Sequence, residues 1–211
     1  CKKIILVLTC TPIAILNYLA RLGWSHGDQE IFTLDEMVDL FDINNLTKSP
    51  AIFDEDKLKW VNSQHLKRLS NNDLLKVVKV DFYQGINIDL ALSSAKVKAK
   101  DTIMLNESLK FCESELIKIG DEFIDDLYTK DTKEIIEAFY TDALDLKSFE
   151  IKEIKDCMNI FLEKRGLKMK QIALPLRIIL TGSKASPGIF EVISILGKEI
   201  FSKRIEHYLE S

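Results

Sequence analysis

Signals that start and stop helices recur along this whole sequence, whereas sustained two-residue alternation bounded by turn signals does not appear. That combination restricts the chain to a fold of packed helices. Thr11-Pro12 sets a cap and a proline at the first helical position, ahead of Ile13, Leu16, Leu19 and Leu22, and Gly23 closes the segment. The three leucines read as its core face. Thr33-Leu34-Asp35-Glu36 is a capping box with Phe32 and Met37 at the staple positions, and it predicts a helix to Phe41.

The same punctuation continues. Asp54 is placed to cap a helix carrying Leu58, Val61 and Leu69, and Ser70-Asn71-Asn72-Asp73 opens another with Leu74, Leu75 and Val78 on one side. Asp101 predicts a longer helix through Leu105, Leu109, Cys112 and Leu116, ended by Gly120. Asp131-Thr132-Lys133-Glu134 starts the next, and Ser148 caps one that runs to Lys164-Arg165, with Gly166 as its stop. Pro175 lies near the start of a further helix, which Gly182 ends. Ser186-Pro187 caps the penultimate helix, Gly197 breaks it, and Lys198 to Leu209 completes the pattern. Only Ile4 to Leu8 has the character of a strand. The expected fold is all-α (mainly α), a bundle or cage of short helices without a fixed-period repeat or low-complexity linker.

A chain of 211 residues with an apolar fraction of 46% can bury a core as one large domain or two small ones. The net charge of −4 excludes no polyanion, because the charge is unevenly spread. From Lys164 to Phe190 there is no acid, while Lys164, Arg165, Lys168, Lys170, Arg177 and Lys184 are basic. A basic face for nucleic acid and a solvated helix face that lacks acids account for this run equally well. Cys1, Cys10, Cys112 and Cys157 have no CxxC spacing, and His26, His65 and His207 are far from them in sequence, so no metal site or disulfide framework is expected. Lys2-Lys3, the apolar run to Leu8 and Cys10 mimic a lipoprotein signal, but the run is too short for one, and far too short to span a membrane.

Two stretches carry the strongest chemistry. One is Leu176-Arg177 with Leu180-Thr181-Gly182-Ser183-Lys184-Ala185-Ser186-Pro187-Gly188-Ile189-Phe190-Glu191. Gly182 permits a turn, and Ser186-Pro187-Gly188 opens a helix whose free amides attract anions or a nucleotide; a ligand-free helix corner fits the local sequence as well. The other runs Leu16-Asn17-Tyr18-Leu19-Ala20-Arg21-Leu22-Gly23-Trp24-Ser25-His26-Gly27-Asp28-Gln29-Glu30-Ile31-Phe32, and Leu46 to Asp54 with Lys57 to Asn62 extends it. Together, in this order, they resemble the carboxyl-terminal half of bacterial-type glutamyl-tRNA synthetases, from about Thr11 onward. The first ten residues depart from the family, so the chain is expected to be a fragment with an altered beginning. Residues 70 to 160 match only loosely.

The resemblance implies the helical cage of the class I glutamyl-tRNA synthetase anticodon-binding type. It places Arg177, Ser186, Pro187 and Ile189 at the first two anticodon bases, with the planar fork of Arg177 suited to base edges or stacking. Lys98 falls where the family has an arginine for the third base, and a lysine cannot make the same bidentate contact. Lys164, Arg165, Lys168, Lys170 and Lys184 are the candidates for tRNA phosphates. Trp24 and Trp60 read as packing anchors, and Ser25-His26-Gly27-Asp28 as a turn.

The expected division is 1–66 as part of the stem-contact region, 67–129 as a first anticodon-binding helical subdomain and 130–211 as a second. The three histidines are isolated and no GxxxxGK[ST] occurs, so no catalytic residue is assigned. ATP and Mg²⁺ belong to the complete enzyme, which would join glutamate to tRNA. The partner implied is tRNA(Glu), with tRNA(Gln) as a second candidate. No DNA or membrane partner is expected, and the protein is expected to be monomeric and cytoplasmic. The alternative from another class is a helical protein-interaction module, or a decayed synthetase fragment, without RNA binding.

Overall fold

The computed structural model describes residues 9–47, 50 and 52–211, Asp126 by its backbone alone. The Ile4 to Leu8 run, and Lys48, Ser49 and Ala51 within the extended motif, lie outside the described residues. The α-helices are α1 (Pro12–Gly23), α2 (Leu34–Leu40), α3 (Glu55–Arg68), α4 (Asn71–Val77), α5 (Ile88–Lys96), α6 (Thr102–Glu107), α7 (Ile124–Leu127), α8 (Lys130–Leu144), α9 (Ile151–Arg165), α10 (Met169–Thr181) and α11 (Ile189–Glu210). Three single 3₁₀ turns, Ile43–Asn45, Lys110–Cys112 and Asp121–Phe123, join them. Among the described residues the one β feature given is an isolated antiparallel bridge between Trp24 and Leu46. The fold is all-α. It divides into two compact units, one reaching Lys79 and including Lys96–Glu107, the other made of Val80–Ala95 and Ser108–Ser211.

In the first unit α1 packs on α3 through Ala14, Tyr18, Leu58 and Val61, and buried polar side chains share that interface. Thr11 caps α1 without a side-chain bond to that helix; its N–H and Oγ1 instead donate to Asn62 Oδ1 at 2.8 and 3.1 Å. Asn62 Nδ2 donates to Lys100 O at 2.8 Å. Asn17, fully buried, accepts from Phe32 N at 2.9 Å, donates to Glu30 O at 3.0 Å and meets His65 Nε2 at 2.8 Å. These bonds satisfy loop backbone that would otherwise be buried without partners.

That arrangement corrects the expected core face of α1. Leu16 and Leu19 are 44% and 54% exposed, and the buried positions are Ala14, Asn17 and Tyr18. The helix is turned so that an amide able to bond two loop groups faces inward. Trp24 is buried between Phe32 and Phe41, as expected of an anchor. Trp60 is not: it is 41% exposed, with Lys57 Nζ 4.4 Å from its ring centre.

The second unit is built around α10 and α11, with α8 packed against α9, α10 and α11. Phe139 and Phe161 meet edge to face at 5.5 Å, and Phe201 contacts Tyr140 and Phe149. The expected long helix from Asp101 is absent. It stops at Glu107, where the chain passes from one unit to the other, and Cys112 is presented by a 3₁₀ turn. Thr129 caps α8, two residues before the expected start at Asp131. Glu150 stands at the N-cap of α9, while Ser148 instead donates its N–H to Glu153 Oε2 at 3.1 Å. Pro175 lies inside α10, which begins at Met169, where the Lys168 N–H donates to Gln171 Oε1 at 2.8 Å.

Candidate nucleic-acid interface

The Gly182–Gly188 loop joins α10 to α11 in the second unit. Gly166 and Gly182 end α9 and α10 in the left-handed region, at φ 61° and 66°. The loop then bonds to itself. Thr181 Oγ1 donates to Arg177 O at 2.7 Å, and Ser183 Oγ accepts the Ala185 N–H at 3.1 Å.

Arg177 closes the far end. Its Nη1 donates to Ser186 O at 3.3 Å, to Ser186 Oγ and to Pro187 O at 2.6 Å. Among the described residues those three bonds use Nη1 alone, so Nε and Nη2 are not engaged. Burial lowers the pKa of the half-buried guanidinium, while the charge of Glu191 works the other way. Ser186-Pro187 does not cap α11, contrary to expectation; the helix begins at Ile189 and Gly188 stands at its N-cap, while Ser186 and Pro187 bond to Arg177. The Glu191 carboxylate folds back over Gly188, so that a β-carbon there would lie 2.0 Å from Oε2. A chain carboxylate thus stands at the helix end that would favour an anion.

The sequence-assigned residues therefore sort by place. Arg177, Ser186 and Pro187 come together directly, with Pro187 buried. Ile189 begins α11 next to them but turns into the core, 6% exposed. Lys184 lies on the loop with Nζ 5.2 Å from the Phe123 ring centre. Lys168 caps α10 and Lys170 is in its first turn, both exposed. Arg165 lies over Phe161 at 5.0 Å. Lys164 lines an open groove with Asp142, Asp145, Glu153 and Asp156. Lys98 belongs to the first unit, exposed in the turn after α5.

One functional candidate was missed. Arg204 is 2% exposed, and it donates from Nε to Glu115 O at 2.8 Å, from Nη2 to Phe111 O at 2.8 Å and to Ser114 O, and from Nη1 to Leu180 O. Burial lowers its pKa to about 10. A signal existed: Arg204 stands among Ile200, Phe201, Ile205 and Tyr208, the apolar stripe of its helix.

The histidines do not form a pair. His26 is exposed in a turn and His65 is bound to Asn17, so the described side chains do not fit the paired-histidine site that handles ATP in class I synthetases. No group of three or more metal-binding side chains clusters among the described residues, and no described helix is long and apolar enough to cross a membrane.

Comparison with known proteins places the chain in a family. Residues 58–209 match the family model for the anticodon binding domain, and residues 7–60 match the one for the catalytic domain of class I (E and Q) tRNA synthetases. The second match begins inside the ten residues that read as atypical. Glutamate–tRNA ligase 1 of Campylobacter hominis is 36% identical over 203 residues, covering 95% of this chain and 44% of the relative. The glutamate–tRNA ligase of Wigglesworthia glossinidia brevipalpis is 34% identical over 202 residues, covering 92% and 43%. A crystal structure of a glutamate tRNA ligase from Elizabethkingia meningosepticum, in complex with its amino acid, superposes with a TM-score of 0.80 at 26% identity, over 96% of this chain and 42% of that one. The chain thus spans less than half the length of the relatives it matches. With a family model matched over most of its length, the chain belongs to the anticodon binding domain family, in the form that glutamate–tRNA ligases carry.

Proposed function

We propose that this chain is the tRNA-gripping, anticodon-reading portion of a glutamate–tRNA ligase. The complete enzyme would activate glutamate with ATP and Mg²⁺ and attach it to tRNA(Glu), with tRNA(Gln) as a second candidate. The chain would act as a monomer in the cytoplasm. Residues up to about 66 would meet the tRNA stem, and the two helical subdomains beyond would meet the anticodon end.

The observation that carries this reading is the setting of Arg177. One guanidinium nitrogen is fixed to the loop, while Nε and Nη2 are not engaged and the Glu191 carboxylate is close. A phosphate is poorly served there, because Glu191 repels it. A base edge is well served, because it offers acceptors to the guanidinium and donors to the neighbouring oxygens. Arg177, Ser186, Pro187 and Ile189 would frame the first two bases and Lys98 would stand at the third. Arg165, Lys168, Lys170 and Lys184 would meet phosphates, and Lys164 would contribute least of the five expected from the sequence, because it shares a groove with Asp142, Asp145, Glu153 and Asp156.

The test is a titration of Arg177→Ala against tRNA(Glu) and an anticodon-swapped tRNA. Binding of tRNA(Glu) should weaken by about 1–3 kcal/mol, and the loss should shrink for the swapped tRNA, whose partner group is already gone. Equal losses on both, with the fold intact by circular dichroism, would remove Arg177 from the reading site.

A further inference from the structure

The Gly182–Gly188 loop is held at one end by Arg177, but its other end rests on residues far away in sequence. Leu180 lies in the last turn of α10, where carbonyl groups lack partners within the helix. Its carbonyl accepts from Arg204 Nη1. The same guanidinium takes the carbonyls of Phe111, Ser114 and Glu115. The strand of chain that follows runs directly behind Gly182, where a β-carbon would stand 3.1 Å from Lys118 O and 3.7 Å from Ile117 Cδ1. Arg204 therefore fastens together the end of α10, the 111–115 segment and α11, and the chain that continues from there through Ile117 and Lys118 is the wall against which the loop begins.

The chemistry suits that task. Four N–H···O=C bonds radiate from one planar group, so the three chain segments are fixed in angle as well as distance. No carboxylate pairs with Arg204 among the described residues; its charge is met by carbonyl dipoles, one of them at a helix C-terminus, the end that favours a cation.

We infer that Arg204 is a positioning residue, which holds the Gly182–Gly188 loop in its reading shape from behind. The inference rests on the base-reading role proposed for that loop. A buried residue that sets loop shape should control discrimination between anticodons while leaving the phosphate contacts outside the loop untouched.

The experiment uses the 211-residue chain with Arg204→Lys, which keeps the charge but cannot reach four divergent carbonyls. Two quantities are read. Amide hydrogen exchange without RNA should accelerate about tenfold at Ser183–Ser186 and Gly188, with α8 and α9 unchanged. The ratio of affinities for tRNA(Glu) and an anticodon-swapped tRNA should fall about tenfold, with the salt slope lowered by no more than the ~0.7–0.9 of one contact, that of Lys184 on the loop. Unchanged loop exchange, a rise spread evenly through the unit, or equal weakening of both tRNAs would overturn the inference. Should Arg204→Lys, which buries an ammonium, fail to fold, the neutral Arg204→Gln removes the same bonds without a buried charge, and the same outcomes decide. A wild-type chain that does not discriminate would remove the base-reading role itself, whereas the exchange measurement judges the hold of Arg204 on the loop independently.

Discussion

At the scale of single residues, polar groups inside the first unit determine what the leucines cannot. Asn17 takes a core position because Phe32 N–H, Glu30 O and His65 need a partner, and Leu16 and Leu19 are displaced to the surface. Periodicity weights leucine as core and asparagine as surface, so this inversion was not legible. The reverse holds for Arg177, whose place beside the loop motif was legible although its three Nη1 bonds to the loop were not. His65 carries a prediction. Asn17 Oδ1 accepts, so Nε2 holds the proton in the neutral ring, and burial lowers the pKa from 6.5, with Arg68 adding to the effect. The unfolded chain therefore takes up a proton before the folded one does. Stability is full above the unfolded pKa and declines as pH falls below it. Both tryptophans lie in this unit, so the thermal midpoint by tryptophan fluorescence should drop between about pH 7.5 and 5.5. His65→Gln should flatten that drop, and an unaltered pH profile in the variant would contradict the account.

At the scale of elements, helix ends were legible wherever a residue type is dictated by geometry. The capping box at Thr33 forms in both directions, Ser70 and Asp54 accept from the first turns of their helices, and Gly166 and Gly182 adopt the left-handed stop. Starts were misplaced where a second cap competed, as at Thr129 before Asp131. The long helix from Asp101 was misread because apolar spacing says nothing about where a chain changes units. Gly197 offers a clean test of the geometric argument. Within α11 it has φ 66° and ψ 175°, a region that is essentially reserved for glycine, and nothing lies within 4 Å of where its β-carbon would be. Gly197→Ala should therefore destabilise by about 1–3 kcal/mol through the backbone alone. Gly23→Ala is the control, since Gly23 ends α1 in equally open space without a positive φ; it should be neutral or slightly stabilising. Denaturant midpoints compare the two, and a neutral Gly197→Ala would show that the break is tolerant rather than fixed.

At the scale of the whole molecule, the sequence showed where positive charge is concentrated but not which charges share a surroundings. The run from Lys164 to Lys184 reads as one basic stretch, yet folding distributes it. Lys164 enters a groove with Asp142, Asp145, Glu153 and Asp156, whereas Lys168 and Lys170 stand exposed at the start of α10. Asp142 and Asp145 come from the end of α8 and are brought alongside by its packing against α9, whereas Glu153 and Asp156 precede Lys164 on α9 itself. A phosphate approaching Lys164 enters a groove lined by four carboxylates, whose repulsion opposes it. The proposed tRNA contacts should therefore be unequal. Each lysine that meets a phosphate releases counterions and adds about 0.7–0.9 to the slope of log affinity against log salt. Lys168→Gln with Lys170→Gln should lower that slope by about 1.4–1.8 if both meet phosphates, equally for matched and swapped tRNAs, because phosphates carry no sequence. Lys164→Gln should leave it almost unchanged. The measurement is a binding titration at several salt concentrations for the three proteins. A slope that falls as much for Lys164 as for Lys168 and Lys170 would mean that the acidic groove does not govern Lys164, and that the basic run acts as the undivided patch its sequence suggests.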